Sequence, residues 1–172
     1  MDGSRISNAA AGLNKSFREF TVDAGVDVLS FGGTKNGMMF GEAVLFFNPE
    51  IAKEVRFIRK QEMQLHSKMR FISAQFLALF SDDLWLRNAA HSNRMAKVFE
   101  SRLRAISAIQ ITQPVQANSI FAVFPAHVIE PLQKEFFFYV WTEKMNEVRL
   151  MCSFDTTEGE IDAFVATLKS LI

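Results

Sequence analysis

The stretch 29-LSFGGTKNGMMFGEAVLFF-47 decides how this chain is read. Residues 26–31 and 43–47 are short apolar runs, of the kind buried on both faces of a parallel sheet. Between them stand Gly32 and Gly33, then Thr34, Lys35, Asn36 and Gly37. Lysine is ordinarily a solvated surface residue, so one on a glycine-rich turn between two such runs calls for a use. The order Gly-Gly-Thr-Lys-Asn does not fit the spacing of a phosphate-binding P-loop. A lysine in a partly desolvated cleft is a competent amine nucleophile toward a carbonyl. The glycines would then let a planar ligand approach the backbone. The plainer reading makes Lys35 a turn residue without chemistry.

Outward from that turn the pattern is mixed α and β. Residues 5–13 read as a short helix. Ser16 and Glu19 form a capping box for a second helix reaching residue 24, with Gly25 as its left-handed stop. Asn48 and Pro49 start a long helical segment, residues 50–80, whose apolar positions form no single stripe and so require a break. Ser81, Asp82 and Asp83 cap a helix over residues 84–105. Strands are expected at 109–112, 119–124, 136–142 and 148–154, and a short helix at 125–135. A last helix follows the capping box Thr157–Glu160 and places Ile161, Phe164, Val165, Leu168 and Leu171 on one face.

The bulk numbers narrow the function classes. At 172 residues, 49% hydrophobic and 22% charged, the chain is globular. Lys+Arg and Asp+Glu are both 19, so no net charge draws it to nucleic acid or an anionic membrane. The one cysteine, Cys152, has no internal disulfide partner, which fits a reducing, cytoplasmic setting, and is expected to be a small core residue. No apolar run is long enough to span a bilayer. His66, His91 and His127 are scattered, expected at the surface, and form no metal site. Phenylalanine is frequent, at 18 residues, which suggests either a rich core or surface made to meet another chain.

Asp2-Gly3-Ser4-Arg5 lies one β–α–β unit before Lys35. Parallel strands deliver their C-terminal ends to one sheet edge, so Asp2 and Lys35 can meet over one ligand. Pyridoxal phosphate (PLP) sites need such a carboxylate against the pyridine nitrogen. With 1-MDGSRISNAA-10, 24-AGVDVLSFGGTKNG-37, 59-RKQ-61, 67-SKMRF-71 and 147-EVRL-150, the chain resembles the low-specificity L-threonine aldolases of the β-eliminating lyase group, fold-type-I PLP enzymes. Ser4 stands where that family usually has alanine.

The resemblance implies an α/β fold: residues 1–83 as the remainder of a PLP-binding large domain, and residues 84–172 as a small C-terminal α+β domain. It implies that Lys35 holds the cofactor covalently, that Asp2 faces the pyridine nitrogen, that Arg5 neighbours the ring's phenolic oxygen, and that Arg149 clamps the substrate α-carboxylate. Lys60, Lys68 and Arg70 fall where the family places basic groups near the phosphate or a neighbouring subunit; Ser30 and Thr34 are further phosphate candidates. It also implies a cytoplasmic oligomer, a dimer or tetramer, or association with a missing N-terminal half, because the likeness covers only the family's second half. The base for the β-hydroxyl is expected in that other half. Retro-aldol cleavage of threonine or allo-threonine is the leading expectation. A related PLP lyase with another leaving group, and an inactive fragment or interaction domain, remain open beside it.

Overall fold

A computed structural model describes residues 1–172. The chain divides into two compact units, Met1–Asn88 and Ala89–Ile172.

In the first unit, β1 (Asp2–Gly3) leads into α1 (Ile6–Leu13), which closes on the left-handed Asn14. The Ser16–Glu19 capping box forms, but it starts a single 3-10 turn, Phe17–Phe20, and not a helix to residue 24. Thr21 turns back and donates its hydroxyl to the Phe17 carbonyl at 2.7 Å, and the chain leaves helical geometry there. Gly25 does take a positive φ of 82°.

The two apolar runs form β2 (Val28–Gly32) and β3 (Glu42–Phe46). Only β1 and β2 are parallel, with Asp2 opposite Ser30; β2 and β3 are antiparallel, with Ser30 opposite Val44. This corrects the expectation of strands buried on both faces of a parallel sheet. β3 is an edge strand of the order β1-β2-β3, and Val44 and Leu45 are exposed. The long helical segment breaks into α2 (Pro49–Ala52), α3 (Val55–Gln61) and α4 (Met69–Phe80). Asn48 caps α2 by accepting from the Glu50 amide at 3.1 Å, and Met63 at φ 55° lies in the stretch between α3 and α4.

The second unit is built on the antiparallel sheet order β4-β5-β7-β6, with β4 (Gln110–Ile111), β5 (Ser119–Val123), β6 (Tyr139–Thr142) and β7 (Glu147–Met151). α5 (Leu84–Arg104), which begins before the division, α6 (Ala126–Gln133) and α7 (Glu158–Leu171) supply its helices. Alternate residues of the strands, Ile120, Ala122, Val148 and Leu150, pack with Leu103, Val128, Leu132 and Leu168 in one buried cluster. The Thr157–Glu160 capping box starts α7 as the sequence predicts.

The two units differ in how fully they are packed. The second has an extended core, whereas the buried apolar cluster of the first is Ile6, Leu29 and Phe31. An open apolar groove of about 370 Å³ lies beside it, lined by Phe17, Leu29, Phe31, Leu45, Phe76 and Phe80 among others.

Cys152 follows β7, and burial pushes its thiol up to about 12 from an ordinary 9.0. A thiol held neutral contributes stability below pH 9. Between pH 9 and about 12 the unfolded chain ionises and the folded one does not, so that contribution is lost as pH rises. We expect Cys152 to resist a thiol reagent at neutral pH until the second unit unfolds; rapid labelling of the folded protein would contradict its buried position.

Candidate active site

The Lys35 turn is a 3-10 turn, Thr34–Asn36, closing on Gly37 at φ 108°. Asn36 is buried, and it anchors the turn. Its side-chain amide donates to the Trp85 carbonyl at 2.9 Å, and the Asn88 amide donates to the Asn36 carbonyl at 2.9 Å. Sequence reading overlooked Asn36, since an asparagine beside glycine is an ordinary turn residue. Asn36→Ala leaves the Trp85 carbonyl without this donor. We expect a loss of about 1–3 kcal/mol in urea unfolding, and an unchanged midpoint would show that the turn is held otherwise.

The turn thus presents Lys35 exposed to solvent, and its ammonium joins no salt bridge. This differs from the expected desolvated cleft: the 172 residues bring the lysine to the surface without walling it in. The glycines also serve the chain's own close packing. A Cβ on Gly33 would collide with Met38 Sδ. One on Gly3 would lie 2.6 Å from the Ser30 carbonyl oxygen, and one on Gly32 would lie 3.0 Å from Ser4 Cα. The chain itself fills the space the missing side chains leave, so these glycines allow β1, β2 and the turn to close on one another. Met38 is buried, whereas Met39 and Phe40 are exposed.

Asp2 lies opposite Ser30 on the parallel pair β1–β2. The Ser4 backbone amide donates to Asp2 Oδ1 at 2.9 Å. That bond and then the Ser4 hydroxyl hold the exposed carboxyl below its ordinary 3.8; desolvation opposes them, and the charges of Lys35 and Arg5 add a lesser lowering. Asp2, Lys35 and Arg5 are therefore close enough to share one electrostatic field at the end of β1. Ser4 contributes both its amide and its hydroxyl to the carboxylate, a role that alanine would fill only in part.

Ser30 and Thr34 are committed within the chain. The Ser30 hydroxyl donates to Glu42 Oε1 at 2.6 Å, and Thr34 Oγ1 accepts from the Gly41 amide at 3.2 Å. Lys60, Lys68 and Arg70 are exposed on and beside α3 and α4, with the Arg70 guanidinium 5.1 Å from the Phe71 ring centroid. His66 and His127 are exposed as expected. His91 is not: it is partly buried, with Nε2 donating to the Thr156 carbonyl at 2.7 Å and Nδ1 2.9 Å from the Arg94 guanidinium, so it ties α5 to the turn before α7. No three His, Cys, Asp or Glu side chains group to hold a metal ion.

In the second unit, Arg149 sits on β7 opposite Phe121 of β5 and Tyr139 of β6. It is partly buried, and its Nε is shielded from solvent without a hydrogen-bond partner. It joins no salt bridge, so its charge is not neutralised by any acid of the chain.

A model of the beta-eliminating lyase family matches residues 1–126, a span that includes Asp2, Arg5 and Lys35. The chain belongs to the beta-eliminating lyase family. Within that family it is 42% identical, over its whole length, to a low specificity L-threonine aldolase of a Pseudomonas species, and it covers 50% of that protein. It is 44% identical over 91% of its length to the low specificity L-threonine aldolase of Pseudomonas aeruginosa, covering 45% of it. The chain thus spans about half the length of the curated relatives it matches.

Among solved structures, the threonine aldolase of Leishmania major superposes with a TM-score of 0.86 at 30% identity, over 99% of this chain and 50% of that one. Oryza sativa TDC with PLP superposes at 0.70 with 14% identity, over 99% of this chain and 40% of that one, a likeness of fold alone. This member of the beta-eliminating lyase family carries part of the fold-type-I PLP-enzyme architecture. No helix of the chain is long and apolar enough to cross a membrane.

Proposed function

We propose that this chain supplies the cofactor lysine, the pyridine partner and the substrate clamp of a PLP-dependent aldolase. The proposed reaction cleaves L-threonine or L-allo-threonine to glycine and acetaldehyde. One observation carries the reading: the chain brings an ionised carboxylate, Asp2, within the field of an exposed lysine amine, Lys35, and of Arg5, at one end of β1.

The donor set fits the cofactor. PLP, when bound, accepts the electron pair released at the substrate Cα. A carboxylate held in its charged form by two Ser4 donors suits a protonated pyridine nitrogen. Lys35, outside any salt bridge, offers the amine that would hold the cofactor, and its Nζ would carry a proton for the substrate. Arg5 offers a cation for the ring's phenolic oxygen. Arg149 offers a planar fork for the substrate α-carboxylate, with no protein acid to compete for it. Holding that carboxylate sets which bond to Cα stands ready to break. In the aldolase the Cα–Cβ bond breaks as the β-hydroxyl loses its proton and the aldehyde leaves. Lys60, Lys68 and Arg70 remain candidates for the phosphate or a neighbouring subunit.

Lys35 is exposed and not walled in by these 172 residues, and we infer that further polypeptide completes the site against the first unit. Met39, Phe57, Met63, Phe71 and Leu77 are all more than half exposed, and β3 is an open edge. We infer that these exposed apolar side chains and this edge meet the polypeptide that corresponds to the unmatched half of the relatives, within an oligomer. A monodisperse monomer in light scattering after that half is supplied would contradict this. The buried lone Cys152 is compatible with the cytoplasmic setting we propose.

The test of function is a substrate panel. The chain is combined with a polypeptide carrying the unmatched half of the Pseudomonas relative and with PLP, then given β-hydroxy-α-amino acids. Glycine with acetaldehyde from threonine is the expected result. A keto acid with ammonia would mark a lyase with another leaving group, and no product from the assembled protein would mark a non-catalytic member of the family.

A further inference from the structure

Arg149 is a cation without a counter-ion, and two aromatic rings stand where an acid would. Its guanidinium carbon lies 5.2 Å from the Trp141 ring and 5.8 Å from the Phe121 ring. The two rings meet edge to face, centroids 5.4 Å apart at 74°. Trp141 owes its position to an irregularity of the sheet. Val140 pairs with Val148 and Thr142 with Glu147, so Trp141 has no partner on β7 and forms a bulge. Bulges of this kind re-aim a side chain and recur beside functional sites. Glu147, two residues before Arg149 on the same strand, is committed elsewhere: it accepts from the Thr112 hydroxyl at 2.6 Å and from the Thr142 hydroxyl at 3.1 Å.

We propose that Phe121 and Trp141 are positioning residues that hold the Arg149 guanidinium ready for a ligand carboxylate. This rests on the proposed role of Arg149 as the carboxylate clamp. An aromatic face attracts a guanidinium without using its N–H donors. An acid in the same place would pair with those donors and neutralise the charge. With Nε buried, the terminal nitrogens are the donors left to a ligand. Aromatic contact therefore fixes the direction of the fork and leaves it able to bind.

The test uses the isotopically labelled 172-residue chain and acetate as the carboxylate probe, with chloride at matched ionic strength as the control. The Arg149 Nε–Hε signal is followed by NMR together with the backbone amide signals of β6 and β7, which also report acetate binding in variants that lack Arg149. Acetate is expected to shift it saturably. Trp141→Leu should weaken that binding about fivefold and move the unliganded signal as the ring current is lost; Trp141→Phe should keep most of both. Trp141 is 54% exposed, so the leucine variant is expected to fold, and a thermal melt checks this. Wild-type affinity and an unmoved signal in Trp141→Leu would overturn the positioning role. If Arg149→Gln loses acetate binding while Trp141→Leu keeps it, that role alone falls. If Arg149→Gln binds acetate as the wild type does, the clamp reading falls, and the positioning role with it.

Discussion

Replacing Lys35 by alanine is expected to abolish threonine cleavage by the assembled protein, with a loss of at least about a thousandfold in kcat, as is usual when a covalent catalytic group is deleted. The fold gives this prediction its sharpness. Lys35 is exposed, in no salt bridge, and carried on a turn held by Asn36 and not by the lysine itself. Its removal should therefore leave stability within about 0.5 kcal/mol, as for surface substitutions away from special features. Lys35→Arg should be as inactive, because a guanidinium keeps its proton and is no amine nucleophile. A small primary amine added to the alanine variant should restore part of the rate. An alanine variant that cleaves threonine normally would remove Lys35 from the chemistry.

The second large effect concerns stability. Phe124 is 1% exposed, and its ring lies 6.3 Å from Phe138 and 6.5 Å from Phe164 in the core of the second unit. Phe124→Ala should cost about 3–5 kcal/mol, a large part of the 5–15 kcal/mol roughly typical of a folded domain. The measurement is urea unfolding followed through the second unit. Leu77→Ala is the control: Leu77 is 73% exposed on α4, and its loss should change the isolated chain by less than about 0.5 kcal/mol. Similar costs for the two substitutions would contradict the packing described for the second unit.

The second unit was the more legible of the two in the sequence. Its strands alternate, Thr157 and Glu160 cap α7, and the apolar positions of that helix repeat at helical spacing. These are local signals, and the unit buries its own core. In the first unit the local signals were present but misleading. Residues 43–47 read as a buried strand because they are apolar, yet β3 lies at an open edge. Hydrophobicity records the need for burial without saying which polypeptide provides it. The Ser16–Glu19 box was legible, but the Thr21 hydroxyl that ends the turn was not distinguishable from any other threonine.

The candidate site divides along the same line. Asp2 and Lys35 stood out by residue type and spacing, and the parallel pairing of β1 with β2 brings that segment to the Lys35 turn. What escaped notice was the support around them: Asn36 under the turn, Ser4 on the Asp2 carboxylate, and the Trp141 bulge beside Arg149. The Asn36 role depends on a hydrogen bond across 49 residues, to Trp85, and the Trp141 bulge on strand register; the Ser4 bond is local, but a serine in a turn does not announce it. The close approaches of Met38 to Gly33 and of Ser4 to Gly32 also went unread, because they too depend on the fold.

The proposed function turns on Lys35 as the amine that holds the cofactor. The most direct measurement adds PLP to the chain assembled with the unmatched half of the Pseudomonas relative, reduces the product with borohydride and locates the modified residue by peptide mass spectrometry. Label on Lys35, lost in Lys35→Ala, is the expected result. Label on another lysine, or none on a folded and assembled protein, would contradict it.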